Sequence, residues 1–329
     1  MLASSGRRSL FTLVGAAAAF SAGSARAEES CRVGPPPHAQ GPDVFLDYDQ
    51  MELDAAYSQP AYEPNMAQLV KRWASNSALT RQRLGEPRRY AYGPNAVEKL
   101  DVYRTKAADA PVFVFIHGGA WNSQTAKDSA FPAETFVGAG AHFVVPDFSW
   151  VQDVGGSLMP IAAQIRRAVA WTYQNARLFG GDPSRFYVSG HSSGGHMAGV
   201  VLTTDWQKDF SLPADFITGG IILSGMYDLT PVRLSSRSRY VKFDDAMVEE
   251  LSAQRHIDRL RAPLVVAYGS YETPEFQRQS REFAAAVKKA GKPVELVVAE
   301  NYSHMEMPES LANPYGICGR AALKMMSLA

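Results

Sequence analysis

From residue 99 onward the chain alternates short apolar runs with longer stretches of helical period. The runs at 99–103, 112–116, 141–145, 186–189, 220–223, 264–268 and 294–298 are rich in β-branched and aromatic residues. Runs of that length and composition predict strands, most of them buried on both faces. Helical patterns fall between them, among them 161–178 and 275–290, the latter ended by Gly291. The alternation predicts an α/β fold with a mostly parallel central sheet and helices on both faces. Residues 51–84 carry a helical pattern ahead of the first strand, and 232–261 is charged and less regular. These predict helical cap elements at about 47–89 and 231–261, above the carboxyl ends of the strands where sites of such sheets form. Tyr57 and Tyr62 of the first cap segment are placed to line an entrance or to pack in the core.

Two glycine-rich turns stand at strand ends. Gly190-His191-Ser192-Ser193-Gly194 lies between a predicted strand and a predicted helix, the setting that turns G-x-S-x-G into an exposed, strained nucleophile. The register centres on Ser192, because centring on Ser193 would put His191 where the first glycine belongs. Upstream, the strand 112–116 runs into His117-Gly118-Gly119-Ala120-Trp121. The backbone N–H groups of Gly118, Gly119 and Ser193 are therefore the candidate donors to a developing oxyanion, each such donor contributing roughly 3–4 kcal/mol.

A serine nucleophile needs a base, and the base an orienting acid. Of seven histidines, His117 and His191 flank the glycine turns, His196 lies on the helix after the serine, and His38 and His256 sit in a proline-rich tail and a charged helical stretch. His304 alone follows a late strand on a polar loop, and is the expected base. Glu272, just past the strand 264–268, is the expected acid, with Asp228 and Glu275 as alternatives. Trp121, Phe148, Trp150 and Tyr227 follow strand ends and are candidates for an aromatic-lined substrate pocket.

These motifs carry a resemblance. The chain resembles the α/β-hydrolase superfamily and, within it, the kynurenine formamidase (arylformamidase) group and its bacterial esterase-like relatives. The resemblance rests on His117-Gly118-Gly119-Ala120-Trp121, Phe179-Gly180-Gly181-Asp182-Pro183, Gly190 to His196, Ser224-Gly225-Met226-Tyr227-Asp228-Leu229, and Glu272-Thr273-Pro274-Glu275-Phe276. It spans nearly the whole chain after residue 47. It implies the α/β-hydrolase fold, with Ser192 as nucleophile, Glu272 as acid and His304 as base, in that group's chain order. The chain departs from the group in using glutamate where its formamidases use aspartate. The implied activity is cleavage of a small carboxylic ester or an N-formyl or N-acyl aryl amide, with a short-chain or plant-acyl carboxylesterase as the alternative. A non-catalytic binding protein on the same scaffold is disfavoured, since such proteins usually lose a triad residue or an elbow glycine and none is missing here.

Residues 1–27 read as a secretory signal of twin-arginine type: Arg7-Arg8 precedes an apolar stretch too short to span a bilayer, and Ala25-Arg26-Ala27 offers a cleavage site. The expectation is a periplasmic or secreted protein without a stable membrane anchor. A proline-rich tail at 28–46 then precedes one domain, 47–329. The full chain has 33 basic and 33 acidic residues; loss of Arg7, Arg8 and Arg26 leaves 30 against 33, a net charge of −3. That near-neutral balance, without a basic stripe, argues against nucleic acid and anionic membrane as partners, and the partner that the resemblance implies is a small-molecule ester or amide substrate. Cys31 and Cys318 could pair in an oxidising compartment or be two unrelated thiols. No metal-ligand spacing and no dinucleotide fingerprint occurs, so neither a metal nor another cofactor is expected.

Overall fold

The structure, a computed structural model, describes residues 41–329. The signal at 1–27, the first part of the tail and Cys31 lie outside the described residues. Eight strands form one sheet: β1 (Arg88–Ala91), β2 (Lys99–Tyr103), β3 (Ala110–Ile116), β4 (His142–Pro146), β5 (Gly181–His191), β6 (Gly219–Leu223), β7 (Leu264–Gly269) and β8 (Val294–Ala299). Their order is β1-β2-β4-β3-β5-β6-β7-β8. β1 and β2 run antiparallel to their neighbours, and every pair from β4 to β8 is parallel.

Eleven helices are described: α1 (Gln50–Ala56), α2 (Met66–Leu84), α3 (Ala133–Gly138), α4 (Met159–Gln174), α5 (Ser193–Leu202), α6 (Trp206–Phe210), α7 (Leu229–Leu234), α8 (Asp245–Leu251), α9 (Pro274–Lys289), α10 (Met307–Leu311) and α11 (Ile317–Met325). Alternation along the strands divides the interior into two cores. Val112, Val114 and Ile116 of β3 face one core, with Val188, Ile222 and Val266, under α4, α5 and α9. Phe113 and Phe115 face the other, with Phe143, Ile221 and Val265, against α3 and α11. The Phe113 and Phe136 rings stack there at 4.0 Å. Helix α9 shows why sequence and layer agree. It buries Phe276, Gln279, Ser280, Phe283, Ala284 and Val287, a stripe of helical period. Pro274 opens it, its fixed φ and missing N–H suiting that position, while Glu275 in the first turn and Lys288 and Lys289 in the last match the helix dipole.

Several elements differ from the sequence reading. β1 was not expected, because Arg-Arg-Tyr-Ala is a largely exposed edge segment with no apolar run. The helical pattern at 51–84 is two helices, parted at a 3-10 turn Gln59–Ala61 with Pro60 as its second residue. Helix α4 stops at Gln174, with Asn175 as C-cap and a further 3-10 turn, Ala176–Phe179. The segment 231–261 holds most of α7, then a 3-10 turn Ser236–Arg239, then α8. Among the described residues no helix is long and apolar enough to cross a membrane.

Candidate active site

Ser192 joins β5 to α5 with φ 59° and ψ −123°, a conformation that non-glycine residues rarely adopt and that costs about 1–3 kcal/mol. The turn is held by Ser192 N–H donating to Leu223 O at 3.0 Å. Its flanks must be glycine. A Cβ at Gly190 would stand 2.2 Å from Gly194 O, and one at Gly194 would stand 2.1 Å from Ile116 O. The strain lifts the Ser192 side chain out of the strand line at the carboxyl end of the sheet, where it borders a cavity.

Glu272 follows β7 and is buried. Its Oε1 accepts from Gly269 N–H at 2.7 Å and from the Ser224 hydroxyl at 2.6 Å. Its Oε2 lies 2.7 Å from His304 Nδ1. Facing a carboxylate, Nδ1 carries the proton and donates, so Nε2 presents its lone pair. Nε2 is buried and makes no hydrogen bond to any described residue, Ser192 Oγ included. Such bonds often tighten only in the substrate complex. The imidazole is wedged between the Phe276 and His191 rings, each centred 4.6 Å away. His191 Nε2 lies 2.9 Å from His304 O, tying the residue before Ser192 to the candidate base. Burial drives both members of the dyad toward their neutral forms. Glu272 is pushed up against the pull of its two donors, and His304 is pushed down, with the positive field of Arg237 adding to the effect.

The loop after β3 has positive φ at three successive residues, Gly119 (φ 99°), which glycine tolerates, and Ala120 (φ 54°) and Trp121 (φ 61°), where it is strained. A Cβ at Gly119 would stand 2.3 Å from Ser123 O, so only glycine fits. Trp121 N–H donates to Ser193 Oγ at 3.2 Å, which fastens this loop to the start of α5. Gly118 packs under the elbow, where an added Cβ would stand 3.0 Å from His191 O, while its carbonyl lies 3.0 Å from His117 Nδ1. Gly119 and Ala120, the next residue of the loop, border the cavity with Ser192.

That cavity has a volume of about 600 Å³. Its walls come chiefly from the cap: Tyr57 after α1, Met66, Val70 and Trp73 on one face of α2, and Arg237 and Tyr240 near the 3-10 turn after α7. Arg237 donates to Tyr240 Oη at 2.6 Å and to Tyr57 O at 2.8 Å. Among the described residues no carboxylate is paired with it.

The proposed aromatic pocket residues are placed elsewhere. Trp121 is buried with its Nε1 on His196 Nδ1 at 3.2 Å, and Tyr227 is stacked on Phe283 at 4.4 Å. Phe148 and Trp150 border a separate cavity, with Phe148 stacked on His117 at 4.3 Å and Trp150 Nε1 donating to Gln124 O. Following a strand end was the wrong criterion: these rings brace the loops, and the cap supplies the wall. The signal that was available is the spacing of Met66, Val70, Trp73 and Ala74, a helical stripe whose exposed end opens on the site. The alternative acids are otherwise engaged. Asp228 caps α7, accepting from Thr230 N–H and its hydroxyl, and Glu275 takes Arg278 and the Tyr57 hydroxyl. Cys318 is buried in the second core, and the question of its pairing falls on Cys31, outside the described residues.

Fold and site together define an α/β hydrolase. The BD-FAE family model matches residues 100–218. Kynurenine formamidase of Danio rerio is 28% identical over 291 residues, covering 84% of this chain and 96% of its own length. That of Salmo salar is 30% identical over 247 residues, covering 71% and 80%. Esterase LipC of Mycobacterium tuberculosis is 28% identical over 238 residues, 64% and 57% of the two chains. Among solved structures, an esterase from Thermogutta terrifontis superposes with a TM-score of 0.58 at 21% identity, over 74% of this chain and 91% of that one. The chain belongs to the kynurenine formamidase and esterase group of the α/β-hydrolase superfamily, and it is a hydrolase.

Proposed function

We propose that the protein is a serine hydrolase in which Ser192, His304 and Glu272 form the triad, acting on a small N-formyl or N-acyl aryl amide or a carboxylic ester through an acyl-enzyme. The observation that carries this is the 2.7 Å contact of His304 Nδ1 with Glu272, which leaves Nε2 unpaired beside the strained serine turn. In this mechanism Nε2 takes the Ser192 proton as Oγ attacks the carbonyl carbon. The C=O electrons move to oxygen, and the N–H groups of the 118–120 loop and of Ser193 receive that charge. Collapse breaks the bond to the leaving amine or alcohol, which departs with the proton from His304. Water then attacks the acyl carbon by the same route and releases the acid and Ser192. Glu272 keeps the imidazole in the required tautomer and stabilises the imidazolium as it forms.

The apolar, aromatic cavity suits an aryl group, and the guanidinium of Arg237, which meets no carboxylate among the described residues, suits a carboxylate borne on it. Both favour the aryl amide reading, in line with the formamidase relatives. With residues 1–27 as an export signal, the reaction would take place in the periplasm or outside the cell. The test is hydrolysis by residues 28–329 of an N-formyl aryl amide and of p-nitrophenyl acetate, with Ser192→Ala as control. Formamide turnover well above ester turnover supports the formamidase reading; ester turnover alone makes the protein a carboxylesterase. Activity surviving in Ser192→Ala removes the mechanism.

A further inference from the structure

Glu63 lies in the short connection between the 3-10 turn Gln59–Ala61 and α2, and it is buried although it carries a carboxylate. A carboxylate is costly to bury unless its oxygens find donors. Those of Glu63 are the two residues on either side of His304: Ser303 Oγ donates to Oε1, and Met305 N–H donates to Oε2 at 3.1 Å. The single hydroxyl proton of Ser303 is shared with Glu306 Oε2, 2.9 Å away, which also accepts from Ser303 N–H at 2.9 Å. His304 thus stands at the start of a one-turn helix held from within by Glu306 and from outside by Glu63.

We propose that Glu63 is a positioning residue for the reaction: the cap, through this carboxylate, fixes the loop that aims His304 Nε2 at Ser192. This rests on the triad reading given above. β8 ends at Ala299, and the chain reaches His304 through a short turn with Asn301 at φ 64°, so the aim of the imidazole depends on how that turn is anchored. Glu272 holds Nδ1, His191 Nε2 meets His304 O and Tyr271 N–H donates to Tyr302 O at 3.0 Å, while the Ser303 hydroxyl and Met305 N–H, on either side of His304, are held by Glu63. The same cap segment reaches the acid loop, where Thr273 Oγ1 donates to Ala56 O at 2.5 Å, and the elbow, where the Trp73 and His191 rings meet edge-on at 5.9 Å. One stretch of chain, 56–73, therefore references the loops of all three triad residues to one another. Glu63 is its only polar contact with the two neighbours of His304 among the hydrogen bonds of the described residues.

The test compares Glu63→Ala, Glu63→Asp and Glu63→Gln with wild type and with Arg72→Ala, which breaks an exposed cap contact to Glu309 and leaves Glu63 in place. Wild-type hydrolysis of p-nitrophenyl acetate or of the N-formyl aryl amide, whichever is turned over, and its loss in Ser192→Ala first establish the triad reading by themselves. Failure there is a failure of that reading and is visible before any Glu63 variant is made. Given that, kcat of Glu63→Ala is expected to fall about 10- to 100-fold with KM within about twofold, the scale for a displaced catalytic group. Glu63→Gln should restore most of it, because its oxygen accepts from Met305 N–H and its amide donates to Ser303 Oγ. Glu63→Asp keeps the charge but is one methylene too short to reach both, and should lose kcat. Arg72→Ala should match wild type. A folded Glu63→Ala with wild-type kcat overturns the proposal. So does a loss confined to KM, or a Glu63→Gln as impaired as Glu63→Ala. If Glu63→Ala does not fold, Glu63→Asp decides: unchanged kcat overturns the proposal, and lowered kcat at constant KM supports it.

Discussion

Ser224→Ala offers the sharpest test of how the dyad is held. Glu272 Oε1 has two donors, Gly269 N–H at 2.7 Å and the Ser224 hydroxyl at 2.6 Å, and Ser224 is fully buried. A hydrogen bond to a charged group contributes about 1.5–3 kcal/mol. Removing the hydroxyl takes that amount from the carboxylate and none from the carboxylic acid. Burial already pushes Glu272 up, and the variant lets it rise further. With about 1.36 kcal/mol per tenfold, the acid limb of kcat/KM should move to higher pH by about one to two pH units. Below that limb the variant should be slower by about 10- to 100-fold, and at pH 9 it should lie within a few-fold of wild type. The assay is a pH profile of kcat/KM on a phenyl ester, with a melting curve to show that the variant is folded. A limb that stays in place, or moves to lower pH, refutes the argument that Ser224 holds Glu272 ionised.

Further outcomes follow from the same geometry. Gly119→Ala places a methyl 2.3 Å from Ser123 O at φ 99°, so the loop must shift; kcat should drop about 100-fold or more, as for loss of an oxyanion donor, in a protein that still melts cooperatively. Arg237→Met should raise KM about tenfold or more for a carboxylate-bearing aryl formamide and leave that of p-nitrophenyl acetate within twofold; equal effects on both would refute a carboxylate-binding role. Trp73→Ala removes a buried indole stacked on Phe131 at 5.6 Å, and should cost about 3–5 kcal/mol in urea unfolding. A value under about 1 kcal/mol would mean that α2 does not pack as described.

What the sequence shows and what it hides divide along the range of the interactions. The strand 112–116 and the serine turn are local: an apolar run and two obligatory glycines identify them without any partner. What sets Glu272 apart from Asp228 and Glu275, its contact with His304, is not local. All three lie near strand ends, and they differ only in what tertiary contact supplies: Ser224 and His304 for the first, a helix cap for the second, Arg278 and Tyr57 for the third. The cavity wall was harder still. Its residues come from α2 and from the turn near Arg237, more than 160 positions apart, and nothing in either segment names the other. The aromatics after the strands were the more conspicuous signal, and they serve the loops. Glu63 was silent for the same reason, since its partners lie 240 and 242 residues away.

The central claim is that Ser192 is made reactive by His304 and Glu272. The most direct measurement is the rate and site of labelling by a fluorophosphonate, read by mass spectrometry of the digested protein. The account predicts one adduct, on the peptide that contains Ser192, absent from Ser192→Ala and formed at least about a hundredfold more slowly in His304→Ala. No adduct on the folded wild-type protein, or an adduct at another residue that persists in Ser192→Ala, would contradict it.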